Sequence, residues 1–263
     1  MGIWQYTETS HAPTAEDLSR ESCLFCKRPL QHWIVGDEVS PEAEVRICRC
    51  CGWWSRTERY VSPDLDEFNN DPTTLVVNER HSLEGACAQL KNLDLRDISA
   101  PLSETRRYLL AKQTERFSMH PRLFELVVAS VFREIGYVAS ATAYSNDGGI
   151  DVVLEKGDST IGVQVKRYAD RIEAEQIRSL AGALILANHT EGIFVTTSSF
   201  RSGAKSTAKR FTSKGYPIKL VDGERFLTQL GIQEIRRMTK AKMIEYIEEI
   251  ILTGASAVIY ENQ

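Results

Sequence analysis

From Pro101 onward the chain switches repeatedly between two hydrophobic periods. "HPRLFELVVASVFREIG" carries Phe124, Val127, Val128, Val131 and Ile135 at helical spacing, and Pro121 suits a first helical position. "LSETRRYLLAKQTERF" before it also has helical spacing. Two short apolar runs follow, joined by Gly157 and Asp158, a pairing typical of two-residue hairpin loops. Then come a helix ("AEQIRSLAGALILANH"), a buried strand ("GIFVTTS"), a basic helix ("FRSGAKSTAKRFTSKG"), a strand ("PIKLVDG") and a short helix ("GERFLTQLG"). Helices alternating with near-continuously apolar strands predict an α/β layered domain whose sheet is largely covered.

The hairpin register follows from its loop. With Gly157 and Asp158 at the turn, Lys156 faces Ser159 and Asp151 faces Gln164. Alternation then predicts one apolar face of Ile150, Val152 and Leu154 against Ile161, Val163 and Val165. The other face, left free of the core, holds Asp151 with Gln164, and Lys166 two residues on. A half-solvated hairpin has a polar outer face by default. Such a face does not ordinarily collect a carboxylate, an amide oxygen and an ammonium at one end. Asp and amide oxygens are hard ligands suited to Mg²⁺, and lysine is a point charge suited to phosphate. "NDGGID" supplies two glycines that let the backbone turn tightly before Asp151.

Upstream the pattern is less regular. Residues 58–100 are polar, with Pro63, Pro72 and the Asn69-Asn70-Asp71 cluster, and read as a connector holding one strand ("TTLVVN") and one helix ("SLEGACAQLKNL"). After residue 232, Met243, Ile244, Ile247, Ile250 and Ile251 mark the apolar face of one helix, followed by a short tail. The expected organisation is a cysteine-rich module at 1–57, the connector at 58–100, a main domain at 101–232 and a C-terminal helix and tail at 233–263.

Composition changes this picture in two places. The 263 residues carry a net charge of −4, against a chain that coats nucleic acid indiscriminately, yet charge is segregated. From Gly192 to Val221 there is no acid, while Arg201, Lys205 and Lys209 recur four apart along one helix side. Such a stripe is often only a solvated face; beside the hairpin it predicts a phosphate-contacting surface. No secretory signal or membrane-length apolar run is visible, so a cytoplasmic protein with reduced cysteines is expected.

Five of the six cysteines lie in "CLFCKRPL" and "RICRCCGWW". Cys23-x2-Cys26 and Cys48-x2-Cys51, with 21 residues between them, slightly more than the roughly 15–20 of the usual ribbon, form two knuckles able to close a tetrahedral structural Zn²⁺ site. Cys50 competes with Cys51 in principle, but Cys-x-Cys fits a knuckle poorly. Cys87 reads as a buried small residue. Trp53 and Trp54 read as core for a small module, with a stacking platform as the alternative.

The blocks "HPRLFELVVASVFREIGY", "DGGIDVVLE", "VQVKRY", "GIFVTTSSF" and "PIKLVDG", in that order, resemble the Mrr-like restriction endonuclease family within the PD-(D/E)xK nuclease superfamily. The resemblance covers roughly residues 101–231. It implies a restriction-endonuclease-like mixed β-sheet flanked by helices, preceded here by a zinc-ribbon-like module, and Mg²⁺-dependent cleavage of DNA. By that resemblance Asp151 is the metal-binding aspartate, Lys166 the catalytic lysine and Glu125 an additional acid, with Asp147 either assisting or forming the turn. Gln164 stands where many members of the wider superfamily have glutamate, which brings an oxygen without a charge.

The expected function is a DNA endonuclease of restriction or phage-defence type, with the zinc module as a targeting or docking device. Beyond DNA, the expected partners are a second copy of the chain or a protein of the same defence system, and no membrane. A junction or flap nuclease is the alternative enzyme. A zinc-ribbon interaction protein with a decayed nuclease core is the non-catalytic alternative, opposed by Asp151, Gln164, Lys166 and Glu125 all being present.

Overall fold

The computed structural model describes residues 2–5, 14–35, 43–64, 78–143, 148–157, 159–252 and 260–261. Asp147, Asp158 and most of the expected "TTLVVN" strand lie outside them. The chain forms two units, Met1–Asn92 with Met238–Gln263, and Leu93–Arg237.

The first unit begins with β1 (Trp4–Gln5), α1 (Ala15–Ser19), β2 (Gln31–Val35), β3 (Ala43–Ile47), β4 (Trp54–Asp64), β5 (Asn78–Cys87) and β6 (Gln89–Leu90). β2, β3, β4 and β5 pair antiparallel in sequence order, and β1 pairs with β6. Two expectations change here. The segment set aside as a connector supplies much of β4 and all of β5, and the helix expected over "SLEGACAQLKNL" is strand. Leu83, Ala86 and Leu90 mimic a helical repeat, but ladder pairing with β4 takes precedence over that weak periodicity. Gly85 also needs the strand: a Cβ there would stand 2.3 Å from Leu18 Cδ1 of α1.

The second unit runs α2 (Leu102–Ala111), a 3₁₀ turn (Gln113–Phe117), α3 (Pro121–Glu134), β7 (Val138–Ala141), β8 (Val152–Lys156), β9 (Ser159–Lys166), α4 (Ala174–Leu186), β10 (Glu191–Thr196), α5 (Ser202–Thr212), β11 (Ile218–Val221) and α6 (Gly223–Arg237). Its sheet has the order β11-β10-β9-β8-β7, with β7, β8 and β9 antiparallel and β9, β10 and β11 parallel. The parallel half requires crossovers, which α4 and α5 provide. Successive crossovers of one hand, moving in one direction, bring both helices to the same face. There Ile177, Leu180 and Leu184 of α4 and Ala204 and Ala208 of α5 bury against Phe194 and Ile218. Leu184 seats in a dent made by two paired glycines. A Cβ on Gly192 would lie 2.4 Å from its Cδ1 and one on Gly162 2.6 Å from its Cδ2.

α3 packs against β7, β8 and β9 with Phe124, Val127, Val128 and Val131 buried, as its stripe predicts. Pro121 is its first residue and His120 its N-cap, accepting from the Arg122 N–H through Nδ1 at 3.1 Å. α2, α3 and α6 are joined by a charge network invisible to periodicity. Arg106, 1% exposed, donates to both Glu134 oxygens at 2.8 and 2.6 Å. Its Nε lies 2.8 Å from Glu234 Oε1, an ion pair too bent for a hydrogen bond.

The remaining elements, α7 (Lys240–Leu252) and β12 (Tyr260–Glu261), belong to the first unit, where β12 pairs with β5. The expected single C-terminal helix is therefore divided: α6 extends through Arg237 and α7 begins at Lys240. Met243, Ile247 and Ile250 are buried, whereas Ile244 is exposed. Arg56, buried on β4, caps the C-terminal carbonyls of α7, donating to Ile250 O at 3.3 Å and Ile251 O at 2.7 Å.

Candidate metal and nuclease sites

The two cysteine knuckles are built alike. In the first, Cys23 N–H donates to Arg28 O (2.8 Å), Lys27 N–H returns to Cys23 O (3.1 Å), and Lys27 takes φ +60°. In the second, Cys48 N–H donates to Trp53 O (2.7 Å), Gly52 N–H returns to Cys48 O (2.8 Å), and Gly52 takes φ +86°. Each left-handed residue directly follows the knuckle's second cysteine and turns the chain so that both sulfurs point the same way. The four Sγ atoms of Cys23, Cys26, Cys48 and Cys51 lie within 4.8 Å of one another, with Cys26 to Cys48 at 3.3 Å and Cys23 to Cys51 at 3.6 Å. Zn–S bonds of about 2.3 Å in a tetrahedron place sulfurs about 3.8 Å apart, so the cluster has the right size.

The sulfurs also share charge unequally. Donation from Cys23 holds the Cys26 thiol far below its usual range, while contact with Cys23 pushes Cys48 and Cys51 well up. Crowded thiols can ionise together only if a cation neutralises them. Cys50 is buried outside the cluster of four. Cys87 is half-buried, more open than expected, and burial raises its thiol to about 11.

Trp53 and Trp54 are 1% exposed, which makes them core and not a stacking platform. Trp53 Nε1 donates to Ala88 O at 3.0 Å, and Trp4 Nε1 to Cys51 O at 2.6 Å. Tyr246 of α7 donates to Gly52 O at 3.0 Å, tying α7 to the second knuckle.

In the second unit the hairpin register is the expected one within the ladder, where Lys156 pairs with Ser159 and Val152 with Val163; the ladder ends there, and the expected Asp151–Gln164 pair is not part of it. The alternation of faces breaks just before β8. Gly148 (φ +60°) and Gly149 (φ +91°) turn the chain, and Asp151 N–H donates to Val163 O at 2.9 Å instead of continuing the ladder. Ile150, expected beside Val152 and Leu154, consequently joins the opposite core under α4. That opposite face is not free: Gln164 points into it at 4% exposure, among residues covered by α4 and α5. The polar group is an inclusion in a core, a more demanding placement than a solvated face.

Asp151 is 7% exposed, and its Oδ2 accepts the Val165 N–H at 2.6 Å. The bond fixes one carboxylate oxygen across the hairpin. Gln164 Oε1 is buried with no hydrogen-bond partner, and Gly149 passes beside its amide, where a Cβ would sit in ordinary van der Waals contact with Nε2 at 3.5 Å. A buried, unpaired amide oxygen costs roughly 1–3 kcal/mol. Lys166 ends β9, half-buried, with its carbonyl accepting from Thr197 N–H at 3.2 Å. The strand end is braced by Arg167, which donates to Phe117 O, and by Arg116, which donates to Thr197 O at 2.9 Å. Neither arginine stands out in the sequence pattern.

Glu125 lies on α3, 15% exposed in its side chain, and accepts from Arg122 Nη1 at 2.8 Å, a residue of its own helix. Of the basic stripe, Lys205 and Lys209 are exposed on α5, whereas Arg201 precedes the helix as its N-cap and is paired with Glu173. Among the described residues, no helix is long and apolar enough to cross a membrane.

The second unit is thus a mixed α/β domain, a five-stranded sheet flanked by helices with an acid, an amide and a lysine at one end of its central hairpin. Residues 117–230 match the Mrr catalytic-domain family, described as restriction endonuclease. The chain is 31% identical over 115 residues to the type IV methyl-directed restriction enzyme EcoKMrr of Escherichia coli (strain K12), covering 41% of this chain and 36% of that protein. It is 26% identical over 141 residues to the uncharacterized protein y4cE of Sinorhizobium fredii (strain NBRC 101917 / NGR234), covering 51% and 34%. The chain thus spans about a third of the length of these relatives. Two solved structures are more distantly similar, each at 16% identity. AF1548, a protein of unknown function, gives a TM-score of 0.33 over 51% of this chain and 95% of that one. The restriction endonuclease FokI bound to DNA gives 0.38 over 64% and 37%. At these scores neither bears on what this chain does.

Proposed function

We propose that the second unit is a Mg²⁺-dependent endonuclease domain that hydrolyses phosphodiester bonds of DNA in a restriction or phage-defence setting. The observation that carries this reading is the buried, unpaired Oε1 of Gln164, which in sequence adjoins the Val165 N–H that holds Asp151 and lies two residues before Lys166 at the strand end. Asp151 and Gln164 would hold Mg²⁺ as hard oxygen ligands, and the bound ion would supply Lewis-acid stabilisation of charge on the phosphate. Lys166 places a positive charge where negative charge develops in the transition state. The Val165 N–H keeps Asp151 oriented, so little reorganisation is needed when DNA arrives. Glu125 joins the site only by exchanging the Arg122 guanidinium for another partner. Lys205 and Lys209 would meet DNA phosphates.

In the first unit, Cys23, Cys26, Cys48 and Cys51 would hold a structural Zn²⁺. The donor set is all sulfur and the sulfurs are buried and crowded, which suits zinc and leaves no position for substrate. Incubating the purified chain with supercoiled plasmid, with and without Mg²⁺, tests the nuclease reading. Nicked or linear product that requires the metal supports it. Intact plasmid at every metal concentration, from a folded, zinc-replete protein, overturns it.

A further inference from the structure

Between α4 and α5 the surface opens into a pocket of about 160 Å³ lined by Arg178, Thr207, Arg210, Phe211 and Lys214. We propose that this pocket binds the phosphate group of a nucleotide, with the attached sugar or base against Phe211.

Three of the five lining side chains are cationic and none is acidic. Arg210 lies in the last turn of α5 and Lys214 just past its end, and both line the pocket, so like charges are gathered there, and Arg178 adds a third from α4. Attraction to the C-terminal end of α5 accounts for Arg210, which lies in its last turn. It does not account for Arg178, in the N-terminal half of α4. Arg178 pairs with Glu175, but both are largely exposed, at 59% and 82%, so the guanidinium can be recruited to another anion at little cost.

The Thr207 hydroxyl adds a neutral donor. Phe211 is packed partly against the core beneath, which holds its ring as a fixed apolar wall. Guanidinium groups, an ammonium and a hydroxyl around one cavity match the oxygens of a phosphate, and the adjacent ring matches a sugar or base. On α5, Thr207 and Arg210 face the opposite flank from Lys205 and Lys209, and Lys214 lies just past the helix end, so the pocket is distinct from the basic stripe.

The phosphate could belong to a free nucleotide or to a DNA strand, and two probes separate these sources. Binding of labelled adenosine diphosphate and of a labelled DNA duplex is measured by fluorescence anisotropy in EDTA. Full-length protein carrying Lys166→Ala is compared with the same protein also carrying Arg178→Gln, Arg210→Gln and Lys214→Gln. All three added changes are at exposed positions, and circular dichroism verifies the fold. The background substitution and EDTA remove cleavage, so the outcome is independent of the nuclease reading. Affinity for at least one probe should fall about tenfold or more, and the probe affected identifies the source. Unchanged affinity for both probes, or no binding of either by the background protein, overturns the proposal.

Discussion

Gln164 is the residue on which the nuclease reading turns, and it separates two physical accounts. As a packing residue, its amide is an unpaired polar group in a core, and Gln164→Leu should raise stability. As a ligand, its oxygen meets a cation, and its replacements should sort by the oxygen they offer. Gln164→Ala should cut cleavage heavily, and Gln164→Glu should shift the metal titration to lower Mg²⁺, since a second carboxylate attracts the ion more strongly. It need not be faster at saturation, because a tighter ground state adds nothing to the rate of the chemical step. Metal titrations of plasmid cleavage by the three proteins check this, and equal curves for Ala and wild type would remove Gln164 from the site. The hairpin register from Val152 with Val163 to Lys156 with Ser159 was legible because a two-residue Gly-Asp loop sets it on both strands. The position of Ile150 was not, because the Gly148–Gly149 turn breaks the strand's period of two just before β8 begins.

At the scale of elements, the helices of the second unit were readable wherever an apolar stripe met a sheet, as in α3. Two features were not readable. One is the seat of Leu184 on Gly162 and Gly192, whose partners sit on separate strands brought together by the parallel register. Gly192→Val should destabilise the domain by about 1–3 kcal/mol through overpacking against Leu184, measured by urea unfolding, because neighbouring strands hold this part of the sheet in place. The other is the Arg106–Glu134–Glu234 network, since charges on helices ordinarily read as solvated faces. Glu234→Ala should cost about 1–3 kcal/mol, since Arg106 stays buried and keeps Glu134 as its remaining partner. On α5, Lys205→Gln with Lys209→Gln should flatten the salt dependence of DNA binding by about 0.9 in log–log slope for each phosphate the helix no longer neutralises. An unchanged slope would make the stripe solvated surface.

For the whole molecule, the cysteine spacing made the metal cluster legible, but nothing in the local pattern tied α7 to the cysteine-bearing unit. That link rests on hydrogen bonds between distant parts of the chain, Arg56 with the α7 carbonyls and Tyr246 with Gly52. Metal should therefore order more than the two knuckles. Cys51→Ser should lose zinc by elemental analysis and expose α7 to proteolysis, whereas Cys50→Ser should keep both zinc and protection; the reverse pattern would assign the fourth ligand to Cys50. Zinc binding contributes about 10–16 kcal/mol in small modules of this kind, enough to decide whether such a unit folds.

The central claim is that the hairpin end is a working phosphodiester-cleaving site, and its most direct test is plasmid cleavage by the wild-type chain beside Lys166→Ala. Lys166 is half-buried at the end of a strand, so the fold should survive the substitution, as far-ultraviolet circular dichroism and DNA binding in EDTA would verify. The account predicts Mg²⁺-dependent nicking by wild type and a loss of about a hundredfold or more in Lys166→Ala, the order expected for removing one group that stabilises transition-state charge. Equal Mg²⁺-dependent cleavage by the two folded proteins would contradict it.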